Sequence, residues 1–186
     1  LTGLLNRRKF IETLDQERAR AFRYKENLSF IMIDIDHFKK INDNFGHDVG
    51  DKALIKFSKI IESSLRETDF AGRLGGEEFG IILPQTDLNQ SMIVAERIRF
   101  KVETESESEE EGIPAFTASF GVAQFQEDRN SSALLTQDAD KALYKAKGTG
   151  RNRICKAKEL GSKIDYDLIA AVSDNLALGK DNSIPW

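Results

Sequence analysis

"LSFIMIDI" (residues 28–35) is almost continuously apolar, with isoleucine at 31, 33 and 35. A run this short without polar alternation predicts a central strand buried on both faces. Aspartates at 34 and 36 then interrupt the pattern, so the C-terminal end of that strand should reach a polar site.

Working outward, residues 6–23 predict a helix with Asn6 as its N-cap. Downstream, residues 50–65 carry Leu54, Phe57, Ile61 and Leu65 at helical spacing. "DFAGRL" and "EFGIILP" flank Gly75-Gly76 and predict a hairpin turning on those two glycines. Residues 87–102 predict a helix, 116–125 a strand, 132–147 a helix, and "GTGRNRICK" (148–156) leads into a last short strand. The embedded β-α-β-β-α-β order predicts a ferredoxin-like α/β (α+β) layer: a mostly antiparallel sheet flanked by helices. A boundary falls near 157–163, dividing a domain at 1–157 from a C-terminal extension at 158–186.

At 186 residues and 40% hydrophobic content, the chain can bury one ordinary core. It has no apolar stretch of membrane-spanning length, so no membrane contact is expected from this segment. The run "ETESESEEE" (103–111) reads as a solvated acidic loop; without its six glutamates the formal charge of −4 turns slightly positive. No basic stripe suits a nucleic-acid duplex. The single cysteine, Cys155, cannot form an internal disulfide and reads as a packing residue. A reducing cytoplasm is the expected compartment, for the chain alone or as the cytoplasmic part of a membrane-anchored protein.

The acidic groups carry the chemistry. Asp34 and Asp36 close the central strand, and Glu77 and Glu78 sit on the hairpin expected beside it. Either pair alone is explained by strand-end solubility. Together, on neighbouring strands, such carboxylates repel unless a cation offsets them. Hard oxygen donors with no histidine or cysteine cluster point to Mg²⁺, Mn²⁺ or Ca²⁺. Magnesium usually completes its shell with water and phosphates, so phosphate binding is the companion expectation. The backbone N–H groups of Asp36, His37 and Phe38 could meet an anion. Lys147 and Arg151, four apart, are candidate charge clamps, although a solvated basic face explains them too. Asn42 and Asp51 offer donors and acceptors suited to the edge of guanine.

Five ordered stretches, "LTGLLNRR" (1–8), "IDIDHFKKINDNFGHDVGD" (33–51), "RLGGEEF" (73–79), "TASFGVA" (117–123) and "ADKALYKAKGTGRN" (139–152), resemble the motifs of GGDEF-domain diguanylate cyclases. The resemblance implies a nucleotidyl-cyclase palm fold. It also implies condensation of two GTP into cyclic di-GMP and two pyrophosphates across a homodimer, with Mg²⁺ (or Mn²⁺) as cofactor. By motif, Asp34, the carbonyl of Ile35 and Glu77 would hold metal. Glu78 would lie near the ribose or act in proton transfer. Phe38 and Lys39 would hold phosphates, Lys147 and Arg151 would neutralise them, Asn42 and Asp51 would read guanine, and Gly75 and Gly76 would admit the nucleotide. "RETD" (66–69) stands where family members carry a product-binding inhibitory site, which would comprise Arg66, Asp69 and Arg97. An Arg-x-x-Asp spacing is also explained by a surface ion pair.

The chain opens on Leu1 rather than Met, which suggests a piece of a longer protein with an upstream sensor or receiver domain. The tail "DLIAAVSDNLALGKDNSIPW" (167–186) resembles the opening strand and loop of bacterial dihydrofolate reductase, too short to be that enzyme and readable as a fusion remnant or chance similarity. A module that binds GTP or cyclic di-GMP without catalysis is the alternative; the intact acidic and basic set favours the enzyme.

Overall fold

The structure, a computed structural model, describes residues 1–109 and 112–157; the extension at 158–186 and its reductase-like tail lie outside the described residues. In chain order the elements are β1 (Leu5–Asn6), α1 (Arg7–Tyr24), β2 (Leu28–Ile35), α2 (Phe38–Phe45), α3 (His47–Glu62), β3 (Phe70–Gly75), β4 (Glu78–Pro84), α4 (Leu88–Glu105), β5 (Ala118–Gln124), α5 (Ser132–Gly148) and β6 (Ile154–Lys156). The sheet runs β1-β3-β4-β2-β5-β6. The four inner strands pair antiparallel, and the outer β1 and β6 pair parallel. The ferredoxin-like expectation holds, with β2 central as its apolar run requires.

Alternation along β2 splits the core. Ile31, Ile33 and Ile35 face Leu54, Phe57 and Ile61 of α3 and Ala95, Ile98 and Val102 of α4. Leu28 and Phe30 face the other way, toward Phe10 and Leu14 of α1 and Ala139 of α5. Each fully buried phenylalanine or isoleucine contributes about 2–3 kcal/mol by leaving water. Phe57 and Phe79 add an edge-on ring contact at 4.8 Å between centroids. Two-residue periodicity puts Asp34 on the Phe30 side, the face that α5 covers.

Helix α5 lies directly on β5 at Gly121. A Cβ there would stand 2.0 Å from the carbonyl oxygen of Ala139 and 2.3 Å from the nitrogen of Leu143. No side chain fits, and this close approach fixes how the C-terminal end of α5 meets the end of β2.

Several expectations shift. The helix read at 50–65 starts earlier, at His47, because Gly46 (φ 87°, ψ 163°) breaks the path between α2 and α3. Leu65 falls beyond its end. The helix read as ending at 102 continues to Glu105 behind an Asp87–Gln90 capping box, so the acidic run is not wholly a loop. Glu103 is a helix residue, bonded to Arg99 and Asn152. Strand β1 and helix α2 were not separable by pattern: two residues show no period, and "FKKINDNF" has only two buried positions, Phe38 and Ile41. Among the described residues, no helix is long and apolar enough to cross a membrane.

Candidate active site

The C-terminal end of β2 gathers the charged groups. Asp34 pairs in register with Glu78 on one side and Ser119 on the other. Its Oδ2 lies 2.8 Å from Nζ of Lys147, near the end of α5. Burial pushes the Asp34 carboxyl above its ordinary range; the Lys147 ammonium pulls it back, and the charges of Glu77 and Glu78 push it up again. The net direction is up, so one lysine does not fully compensate this carboxylate.

The hairpin departs from expectation by one residue. Gly75 pairs with Glu78, and the register slips between Arg73 and Gly75. The two-residue loop is therefore Gly76-Glu77, with Gly76 at φ 45°. Arg73 Nε donates to the Gly76 carbonyl at 2.9 Å, and the Ile35 N–H donates to the Glu77 carbonyl at 3.3 Å. Glu78 is thus the cross-strand neighbour of Asp34, while Glu77 projects from the loop stapled to Ile35. An open cavity of about 300 Å³ adjoins the turn, lined by Thr2, Asn6, Arg73, Gly75 and Gly76 among others.

Among the described residues, no three acidic, histidine or cysteine side chains converge closely enough to hold a metal ion by themselves. The donor chemistry nonetheless fits a hard cation. Asp34 is a buried carboxylate, the carbonyl of Ile35 follows it in the chain, and Glu77 and Glu78 are near enough for their charges to be felt there. A site with few protein oxygens leaves positions for water and phosphate, as magnesium prefers.

Asp36 is bonded within the protein. Only 4% exposed, it accepts from Thr117 Oγ1 (2.7 Å), Ser119 Oγ (2.7 Å) and the Asn152 N–H (3.0 Å). Its own N–H donates to the Thr117 carbonyl at 2.8 Å. The expected anion contact through the Asp36 N–H is therefore corrected: that N–H is spent on the Thr117 carbonyl and the carboxylate on three donors, so the residue ties the surrounding segments together. His37, exposed with φ 57°, precedes α2 without capping it through its side chain. Phe38 buries its ring while Lys39 is exposed at the first turn of α2.

Asn42 meets the first turns of α3 across the α2–α3 break. The Asn42 carboxamide lies over Gly50, where a Cβ would stand 1.9 Å from Oδ1. Asp51 is the next residue, exposed on α3. Gly50 was not singled out from sequence, since a glycine inside a helix carries no sign of what rests on it. Arg151, exposed at φ 61°, follows α5 with its N–H donating to the Ala146 carbonyl at 3.0 Å.

The RxxD segment stands apart, at the opposite end of β3, about 20 Å from the glycine turn at strand rise. The Arg66 N–H donates to Asp69 Oδ2 at 2.9 Å, and the Asp69 N–H to the Arg66 carbonyl at 3.1 Å. The motif is a closed turn rather than a surface ion pair between its two ends. Arg97 Nη2 donates to the Ser64 carbonyl at 2.6 Å, bringing it near Arg66. A cavity of about 270 Å³ is lined there by Leu65, Arg66, Asp69 and Phe70 among others.

Known proteins share this sequence and architecture. A family model described as "Diguanylate cyclase, GGDEF domain" matches residues 1–153. Diguanylate cyclase DgcM of Escherichia coli (strain K12) is 40% identical over 157 residues, which are 84% of this chain and 37% of that protein. Diguanylate cyclase A of Treponema denticola is 46% identical over 134 residues, 72% of this chain and 36% of that protein. The crystal structure of the GGDEF domain of DgcB from Caulobacter crescentus in complex with c-di-GMP is similar at a TM-score of 0.79 and 33% identity, covering 83% of this chain and 92% of that one. The chain thus spans little more than a third of the length of these two curated relatives.

Proposed function

The chain belongs to the diguanylate cyclase GGDEF-domain family, and from that premise we propose that it condenses two GTP into cyclic di-GMP and two pyrophosphates. The observation that carries this reading is the buried Asp34, ion-paired with Lys147 at 2.8 Å and paired in register with Glu78 of the glycine hairpin.

Two chains face each other as a homodimer, each presenting one GTP. The 3′-hydroxyl of one nucleotide attacks the α-phosphorus of the other. A P–O bond forms, the bond to the pyrophosphate oxygen breaks, and the hydroxyl proton leaves. The same exchange in the other direction closes the ring. An upstream sensor or receiver domain would control how often the chains meet.

Asp34, the Ile35 carbonyl and Glu77 would hold Mg²⁺ or Mn²⁺. A divalent cation there lowers the pKa of the attacking hydroxyl and offsets charge on the phosphates. Lys147 pairs with Asp34 until nucleotide arrives and then, with Arg151, balances the triphosphate. The N–H groups of Phe38 and Lys39, at the start of α2, suit phosphate oxygens. Asn42 and Asp51 hydrogen-bond the guanine edge, and Gly75 and Gly76 admit the nucleotide without a side chain in the way. Glu78, directly across from Asp34, is suited to contact the ribose or accept the hydroxyl proton. Arg66, Asp69 and Arg97 form an inhibitory site for the product.

The test is direct. The chain is incubated with GTP and Mg²⁺, both as it is and with dimerisation forced by a fused coiled coil. Cyclic di-GMP and pyrophosphate in a 1:2 ratio are expected; their absence from the forced dimer would sink the cyclase reading.

A further inference from the structure

The loop after α5 carries Arg151 in an unfavourable backbone conformation, and a set of residues outside the proposed site holds it there. Arg151 (φ 61°) and Asn152 (φ 45°) are consecutive non-glycine residues in the left-handed region. Side chains with a Cβ rarely occupy it singly, let alone in succession. Such a turn persists only where its surroundings over-determine it.

Here they do, from two directions. From the sheet, the Asp36 carboxylate accepts the Asn152 N–H at 3.0 Å and is itself locked by the hydroxyls of Thr117 and Ser119. From α4, Arg99 Nη1 donates to Asn152 Oδ1 at 2.8 Å, and Asn152 Nδ2 donates to Glu103 Oε1 at 2.7 Å. Arg99 and Glu103 also pair with each other at 2.8 Å, which closes the triangle. Bonds to Arg99 and Asn152 hold the Glu103 carboxyl below its ordinary range, so it is the charged form that completes the bracket. Beyond the turn, the Arg153 carbonyl accepts the Phe120 N–H at 2.9 Å and ties the loop to β5.

We propose that Asn152, gripped between Asp36 and the Arg99–Glu103 pair, is a positioning residue that holds Arg151 where it meets the GTP triphosphate. Asp36, Arg99 and Glu103 act through Asn152 rather than on the nucleotide. The inference rests on the reading of Arg151 as a phosphate clamp. It gives the acidic stretch after Val102 a role in substrate binding through its first residue.

Asn152→Gly tests it, because glycine accepts the left-handed backbone and removes only the side-chain tie to α4. Binding is measured by calorimetry on the whole chain with 3′-deoxy-GTP and Mg²⁺, which cannot cyclise, so dimerisation does not enter. The dissociation constant should rise roughly ten- to hundredfold with the melting temperature nearly kept. In an Arg151→Ala background, Asn152→Gly should then add almost nothing. Glu103→Gln, an exposed change, should weaken binding in the same direction and by less. Unchanged binding in Asn152→Gly, or effects of Asn152→Gly and Arg151→Ala that simply multiply, overturns the proposal. Unchanged binding in Arg151→Ala alone overturns the clamp reading instead, and the proposal falls with it.

Discussion

Lys147 Nζ and Asp34 Oδ2 lie 2.8 Å apart, joining the end of α5 to the end of the central strand. The contact exists because Asp34 falls on the strand face that α5 covers, and because Gly121 lets that helix lie against the sheet. It is an incomplete neutralisation: burial and two neighbouring glutamates outweigh the lysine.

Replacing Asp34 by Asn should therefore stabilise the domain while disabling it. The amide keeps the shape and loses a poorly compensated charge. The melting temperature should rise, by roughly 2–4 °C for each kcal/mol recovered. Cyclic di-GMP formation should fall on the order of 10²–10³-fold. Adding GTP with Mg²⁺ should raise the melting temperature of the parent chain and not that of the variant. Equal thermal shifts in both would remove Asp34 from the metal assignment.

The same residue sets a pH dependence with a definite sign. The folded-state pKa of Asp34 is raised, so the folded chain holds this proton more firmly than the unfolded one. Its contribution to stability is complete below about pH 4, where the unfolded carboxyl is also protonated, and is lost as pH rises through the elevated value. Glu103 works in the opposite sense, since its lowered pKa contributes above the ordinary glutamate range and is lost on acidification. Comparing urea midpoints of the parent chain and Asp34→Asn isolates the first effect. The variant's advantage should widen from pH 4 upward and then level off; a gap that narrows as pH rises contradicts the burial argument.

Gly121→Ala should be costly for a purely steric reason. The added methyl meets backbone atoms of α5 at 2.0 and 2.3 Å, and backbone cannot swing aside as a side-chain end can. The helix must lift, with a loss on the order of 3 kcal/mol by denaturant titration. Because α5 carries Lys147, GTP affinity should fall in whatever fraction remains folded. A stability change under about 0.5 kcal/mol would show that the contact relaxes freely.

The sequence made the inner architecture legible because its strongest periodicities are those of the buried elements. The isoleucines of β2, the Leu54-Phe57-Ile61 row and the Leu135-Ala139-Leu143 row each declare a face. What it hid were relations between elements. Nothing at Asp36 distinguishes a ligand from an anchor until Thr117, Ser119 and Asn152 are seen around it. Gly50 gives no hint of the Asn42 amide above it. Glu103 looked like the first residue of a solvated run because its partners, Arg99 and Asn152, lie four and 49 residues away. The hairpin turn slipped by one residue because two adjacent glycines leave open which of them takes the positive φ.

Arg66→Ala should separate inhibition from folding. The Asp69 carboxylate bonds the backbone N–H of Arg66, not its guanidinium, so truncating the arginine leaves the turn closed. Stability should stay within about 0.5 kcal/mol, as for most exposed changes. The initial rate at low product should also be unchanged, because the turn and the proposed active site lie at opposite ends of β3. Inhibition by added cyclic di-GMP should weaken at least about tenfold, in line with the loss of a charged hydrogen-bonding partner. Asp69→Ala is the contrasting variant: it removes the carboxylate that closes the turn, so it should lose about 1 kcal/mol of stability as well as inhibition. Inhibition that persists undiminished in Arg66→Ala would assign the RxxD segment a structural role alone.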